Sequence, residues 1–396
     1  MRATSSLHTI IFSCALLISC SPNWAASPLE TLQSLPDASL LVVDAQNQIL
    51  HAKNIDQLFI PASTVKVLTA LIALNHWSKD HRFTTDFYLD LSTNYLWVKG
   101  YGDPYLVSEE LDIIVAKLKQ ADITKFDGIG VDASYFKEMI VIDGQGESFN
   151  PYDTSVSALA ANFNTINVRI HQNSISSGES QTPLTSIAHT LSQGLPIGTH
   201  RINLGRAELG PKYFAELLKA KLNQSGMLIN DNFINGPLPN NAQRLFTHLN
   251  SRTLEQIILS MLEFSNNFIA NQLYLLLGAE VHHAPATMDK SYSVFANYIQ
   301  QHFEWEHYVL VEGAGLSTQN RLSAQQLIDV LNSFKPYKHL MPMQNSQILA
   351  KSGTLKRVST YTGYLNHSEH WSSFALMINQ KIPYNFRKQV ATELLK

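Results

Sequence analysis

A chain of 396 residues, 45% hydrophobic and 15% charged, carries enough apolar side chain for two or three folded domains. Its formal net charge of −3 implies no nucleic acid or other polyanion as a partner. The 15 histidines are scattered, His282 and His283 are adjacent rather than four apart, and neither H-E-x-x-H nor C-x-x-C occurs; no metal and no cofactor are expected.

Residues 1–26 read as a secretory signal peptide, with Arg2 ahead of an apolar core from Ile10 to Ile18. A core of about ten residues is too short to span a bilayer as a helix. Its end, Leu17-Ile18-Ser19-Cys20, resembles a bacterial lipoprotein cleavage box, which implies lipidation of Cys20. Pro22 after it, where an aspartate would mark retention, resembles an outer-membrane sorting signal. The alternative is ordinary cleavage near Ala25-Ala26-Ser27, with Cys20 discarded. The other cysteine, Cys14, lies inside the signal, so the mature chain has no disulfide although an exported protein could form one.

Ser39–Ala45 and Gln48–Ala52 read as an antiparallel strand pair turned at Gln46-Asn47. Pro61 then opens a helix whose run from Val65 to Leu74 is apolar on nearly every side, the mark of a buried helix. Ser63 falls in its first turn and Lys66 three residues on, so hydroxyl and amine share a face. A lysine buried there has its pKa lowered and becomes a base for the serine, with free N–H groups of the helix start nearby. S-x-x-K alone is common; Ser63 as a mere cap and Lys66 reaching solvent is the plainer reading.

Residues 83–238 read as an inserted domain between the halves of a split catalytic domain, 28–82 and 239–396. Strand patterns cover Phe83–Leu91, Tyr95–Val98, Ile129–Ala133 and Ile166–Ile170. Amphipathic helices cover Ser108–Lys119, acidic at its start and basic at its end, and Pro211–Gln224. Gln172–Thr182, rich in Ser, Asn and Gly, reads as an exposed loop, and Asn235–Ala242 as the break where the chain returns. Helices follow at Thr253–Leu262 and Ile269–Leu277, broken at Ser265-Asn266-Asn267, where polar groups should face a cavity. Ser323-Ala-Gln-Gln326 is a capping box. Strands at Ser346–Leu349, Tyr361–Leu365 and Trp371–Ile378 precede a closing helix over Pro383–Leu395.

Three motifs now stand in order: Ser63-x-x-Lys66, Ser265-Asn266-Asn267, and Lys351-Ser352-Gly353. S-x-x-K, S-D-N and K-T-G together are the set of β-lactamases and penicillin-binding proteins. Asn266 stands for the usual aspartate and Ser352 for threonine. From Ser63 to Ser265 runs roughly 200 residues, far more than in a β-lactamase. That spacing resembles the D-alanyl-D-alanine carboxypeptidase/endopeptidase family, the low-molecular-mass class C penicillin-binding proteins. Gly100-Tyr-Gly102-Asp103-Pro104, Val156–Asn164 and Glu312-Gly-Ala-Gly315-Leu-Ser317 resemble further segments of that family, so the likeness runs from about residue 36 to 380.

The resemblance implies an α/β (α+β) fold of the penicilloyl-serine transferase, β-lactamase-like type, an antiparallel sheet flanked by helices. It implies a periplasmic serine D,D-peptidase acting on peptidoglycan peptides and inhibited by β-lactams. Ser63 attacks the penultimate D-alanine carbonyl, neutral Lys66 takes its proton, Ser265 relays a proton to the leaving amine, and Asn267 positions Lys66 and the acyl-side amide. Lys351 depresses the Lys66 pKa and attracts the substrate carboxylate, which Ser352 and Thr354 hydroxyls bind. Gly353 leaves room for substrate against the strand edge, and the N–H groups of Ser63 and Thr354 form an oxyanion hole. The rival readings are a serine β-lactamase, against which the insert and the lack of a placeable deacylating glutamate speak, and a non-catalytic wall-binding lipoprotein, which has no need of the whole motif set. The insert is shorter than the family leads one to expect.

Overall fold

The computed structural model describes residues 26–121, 123–368 and 370–396. The expected signal segment, apart from Ala26, and Cys20 lie outside them. In chain order the elements begin with α1 (Pro28–Ser34), β1 (Ala38–Val43), β2 (Ile49–Lys53) and α2 (Val65–Trp77). A second group comprises β3 (Thr84–Asp90), β4 (Tyr95–Gly100), α3 (Ser108–Gln120), β5 (Lys125–Phe126), β6 (Gly128–Asp132), β7 (Thr165–Ile170), β8 (Ile175–Ser177), α4 (Ser186–Leu191), β9 (Gly198–Asn203), α5 (Leu209–Gln224), β10 (Leu228–Ile229), β11 (Phe233–Asn235) and β12 (Gln243–Leu249). Last come α6 (Leu254–Glu263), α7 (Asn267–His282), α8 (Met288–His302), α9 (Ala324–Phe334), β13 (Met343–Asn345), β14 (Ile348–Leu355), β15 (Val358–His367), β16 (His370–Ile378) and α10 (Phe386–Glu393).

The first and last groups share a six-stranded sheet in the order β13-β14-β15-β16-β1-β2, antiparallel throughout. Strand alternation sends side chains to two layers. Leu41, Val43, Tyr364, Ala375 and Met377 face a core built with α2, α6, α7, α8 and α9. Leu40, Val42, Tyr361, Phe374 and Leu376 face α1 and α10. All of Val65–Leu74 is buried, as an all-round apolar helix demands. The α+β expectation, with helices against an antiparallel sheet, holds.

The second group builds a mixed five-stranded sheet, β11-β6-β4-β3-β12, and a three-stranded antiparallel sheet, β8-β7-β9. Both share one core with α3 and α5, including Phe87, Val98, Ile114, Val168 and Phe214. Two expectations change here. Residues 243–249 pair with β3 instead of returning to the first sheet, so the return falls near Asn250 rather than at 238/239. Residues 175–177 are a strand and not loop, because Ile175 and Ser177 pair with Ile170 and Val168 of β7. The segment between β6 and β7 crosses back: Phe136, Ile142, Val156 and Ala158 pack into the helical core of the first sheet.

Candidate active site

The turn that carries Ser63 is a 3-10 turn, Ala62–Thr64, running directly into α2. Ala62 is held at φ 48, a costly conformation for a residue with a Cβ. Two threonines fix it: Thr64 and Thr360 donate their hydroxyls to the Pro61 carbonyl at 2.7 and 2.8 Å. Lys66, one helical turn on, is fully buried. Its Nζ lies 3.0 Å from Ser63 Oγ, 2.7 Å from Asn267 Oδ1 and 2.6 Å from the Ala314 carbonyl oxygen. A neutral amine satisfies all three: two N–H groups donate to the amide and carbonyl oxygens, and the lone pair accepts the Ser63 hydroxyl. Burial pushes the Lys66 pKa well below the usual lysine value; the nearby Lys351 charge adds to this and Glu312 opposes it.

The second motif sits where α6 ends and α7 begins. Ser265 has φ 52 and breaks the helix path, while Asn266 caps α7, its Oδ1 accepting from Ile269 N at 3.1 Å. The departure from aspartate at this middle position is therefore accommodated by a cap, which asparagine makes as well. Asn267 faces Lys66 on one side and donates from Nδ2 to the Tyr152 carbonyl on the other, at 3.1 Å.

The third motif lies on β14. Lys351 is 2% exposed, and its Nζ donates to Ser265 Oγ at 2.8 Å and to the Ser352 carbonyl at 2.7 Å. Burial, reinforced by the Arg387 charge and opposed by Glu263, holds its pKa down to about 7. Gly353 has a reason within the fold as well. A Cβ there would stand 2.2 Å from Thr360 Oγ1 and 2.8 Å from Ser63 N, so the missing side chain makes room for the Ser63 turn itself. Among the described residues, β13 and the Pro342 carbonyl cover the edge of β14 only as far as Ala350, which leaves the edge beyond it open to an extended ligand.

Three contributors escape a motif reading. Glu312 is fully buried and accepts from the N–H groups of Ala314, Gly315 and Ser317 and from Asn320 Nδ2 at 2.7–3.3 Å. It thereby shapes the loop whose Ala314 carbonyl receives Lys66. Its place in the Glu312–Ser317 run was the available signal. Tyr152 contributes only a carbonyl, and no side-chain pattern marks that. Arg387 reaches from α10 to donate to the Gly353 carbonyl and Thr354 Oγ1 at 2.7 and 2.8 Å. The other segments of the resemblance are structural: Gln272 of α7 donates to the Gly102 and Ser157 carbonyls at 3.2 and 2.9 Å, and so ties the two units together.

A serine within hydrogen-bond reach of a buried lysine whose pKa is lowered, on a helix packed across an antiparallel sheet, is the arrangement expected of a serine acyl-transfer enzyme. The model of the D-Ala-D-Ala carboxypeptidase 3 (S13) family matches residues 30–194 and 190–346, and the chain belongs to that family. It is 24% identical over 442 aligned positions to the D-alanyl-D-alanine carboxypeptidase DacB of Haemophilus influenzae, covering 93% of this chain and 91% of that one. It is 22% identical to the D-alanyl-D-alanine carboxypeptidase of Actinomadura sp. strain R39, covering 86% and 77%. The fold is similar to penicillin binding protein 4 of Haemophilus influenzae, with a TM-score of 0.76 at 19% identity over 94% of this chain and 100% of that one. It also resembles a predatory endopeptidase of Bdellovibrio bacteriovorus, acylated by penicillin G and in complex with an immunity protein, with a TM-score of 0.54 at 16% identity over 90% of each chain.

Proposed function

We propose that this protein is a serine D,D-peptidase that trims D-Ala-D-Ala termini and cuts D,D-cross-links of peptidoglycan through an acyl-enzyme on Ser63. The observation that carries the reading is Lys66 Nζ, buried between Ser63 Oγ and Asn267 Oδ1. Lys66 removes the Ser63 proton as Oγ attacks, and Ser265, held by Lys351, passes a proton to the leaving amine. The Ser63 and Thr354 N–H groups receive the oxyanion. Water admitted after the D-amino acid departs completes hydrolysis. Glu312 is fully buried and engaged by backbone and Asn320 donors, a structural role that speaks against its serving as the deacylating base of a β-lactamase. The unit from about 84 to 249 reaches the cleft through Tyr152 and controls access to it.

Incubation with purified muropeptides, followed by chromatography, is expected to show loss of terminal D-alanine or conversion of dimers to monomers, both blocked by penicillin. Rapid penicillin hydrolysis with untouched muropeptides would favour the β-lactamase instead.

The Leu17–Cys20 box further supports an exported, periplasmic enzyme anchored to the outer membrane by a lipid on Cys20. Metabolic labelling with a fatty acid is expected to tag the wild type and not Cys20→Ala; a mature N-terminus near Ser27 would remove the anchor from this account.

A further inference from the structure

Lys351 is poorly placed to greet a substrate carboxylate. Its ammonium is turned inward onto Ser265 Oγ and the Ser352 carbonyl, and with a pKa near 7 it is a part-time cation at neutral pH. Arg387 is different. It is 5% exposed, and no carboxylate pairs with it among the described residues. A guanidinium keeps its charge at every working pH, and a buried charge without a counter-ion is costly. The rings of Tyr361 and Tyr384, 6.0 and 5.8 Å from its Cζ, hold the group against β14. There Nη1 donates to the Gly353 carbonyl and to Thr354 Oγ1. Its Nε is buried without an acceptor. Thr354 itself is exposed at the open strand edge. An oxygen that accepts from a guanidinium turns its own proton away, toward that edge.

We propose that Arg387 is the positioning residue that makes this enzyme read a free C-terminal carboxylate: it fixes Thr354 as a hydroxyl donor, and the substrate carboxylate supplies the counter-ion that Arg387 lacks. The inference rests on the D,D-peptidase reading and names what selects its substrate. It assigns the attraction to a fixed cation behind the strand rather than to Lys351.

The test compares kcat/KM for a peptide ending in D-Ala-D-Ala as the free acid and as the C-terminal carboxamide. Wild type is expected to prefer the acid. Charge-assisted hydrogen bonds are worth enough that Arg387→Gln should cut the acid-to-amide ratio by roughly tenfold or more. Arg387→Lys should restore part of it. Thr354→Val, which removes only the hydroxyl, should lower the same ratio and serves also if Arg387→Gln does not fold. Equal losses on both peptides, with the ratio unchanged, would show a structural role and overturn the proposal. A wild type that turns over both peptides without preference overturns it while leaving the D,D-peptidase reading intact. No turnover of either peptide removes that reading, and this inference with it.

Discussion

Acylation of Ser63 by penicillin is expected to slow by roughly 10²- to 10⁴-fold when Lys66 is replaced by methionine, the range a positioned general base contributes. Mass spectrometry should place the wild-type adduct on the peptide holding Ser63, and Ser63→Ala should carry none. The size of the effect follows from burial. Lys66 is fully enclosed and its Nζ lies 3.0 Å from Ser63 Oγ, which fixes it as the base in direct contact with the hydroxyl. Methionine fits an apolar helix but leaves Asn267 Oδ1 and the Ala314 carbonyl without their donor, so the loss includes misplacement of Asn267. Arginine cannot substitute, because it stays protonated. The pH dependence has a definite sign. Lys66 must be neutral to act, so acylation falls as pH drops through its folded pKa, which burial sets well below that of a free lysine. Lys351→Met removes a like charge that lowers this pKa, so the acid limb should move to higher pH. Full-rate acylation of Lys66→Met, or labelling at another serine, would sink the assignment.

The residues of the first two motifs were legible because they rest on local rules. Ser63 and Lys66 meet through the i, i+3 geometry of one helix, and Ser265 and Asn267 mark a break between two apolar runs. What brings Lys351 to Ser265 is tertiary, and only the family resemblance anticipated it. The misses share one cause. Gln243–Leu249 follows an Asn-rich turn and mixes charged, polar and apolar side chains; its strand character comes from pairing with β3. His248 on that strand is buried and meets Glu110 of α3, at 2.8 Å. Ile175–Ser177 looks like loop by composition and becomes strand by pairing with β7. Arg387 sits in an ordinary polar helix, and nothing nearby in the sequence says that it turns inward.

Gly315→Ala is expected to cost several kcal/mol of stability and most of the acylation rate together. Gly315 has φ +78, a region where a Cβ is strained by about 1 kcal/mol. Steric overlap costs more than this backbone strain. The added Cβ would stand 1.9 Å from the Ala62 carbonyl oxygen and 2.9 Å from Ser63 N. Both are backbone atoms, and neither can swing aside as a side chain could. Glu312 holds Gly315 N at 2.7 Å, so the loop cannot simply retreat without loosening Ala314 from Lys66. The turn must move instead, and a shift of about 1 Å in a nucleophile can cost roughly 10²-fold in rate. Gly194 provides the control: its φ is +83, but a Cβ there meets nothing within 4 Å. Gly194→Ala should therefore show only the small stability loss that backbone strain causes, with acylation unchanged. Thermal melting and penicillin-labelling rates of the two variants separate strain from overlap. If Gly315→Ala melts and labels like Gly194→Ala, the contact between the Glu312 loop and the Ser63 turn does not set the position of the nucleophile.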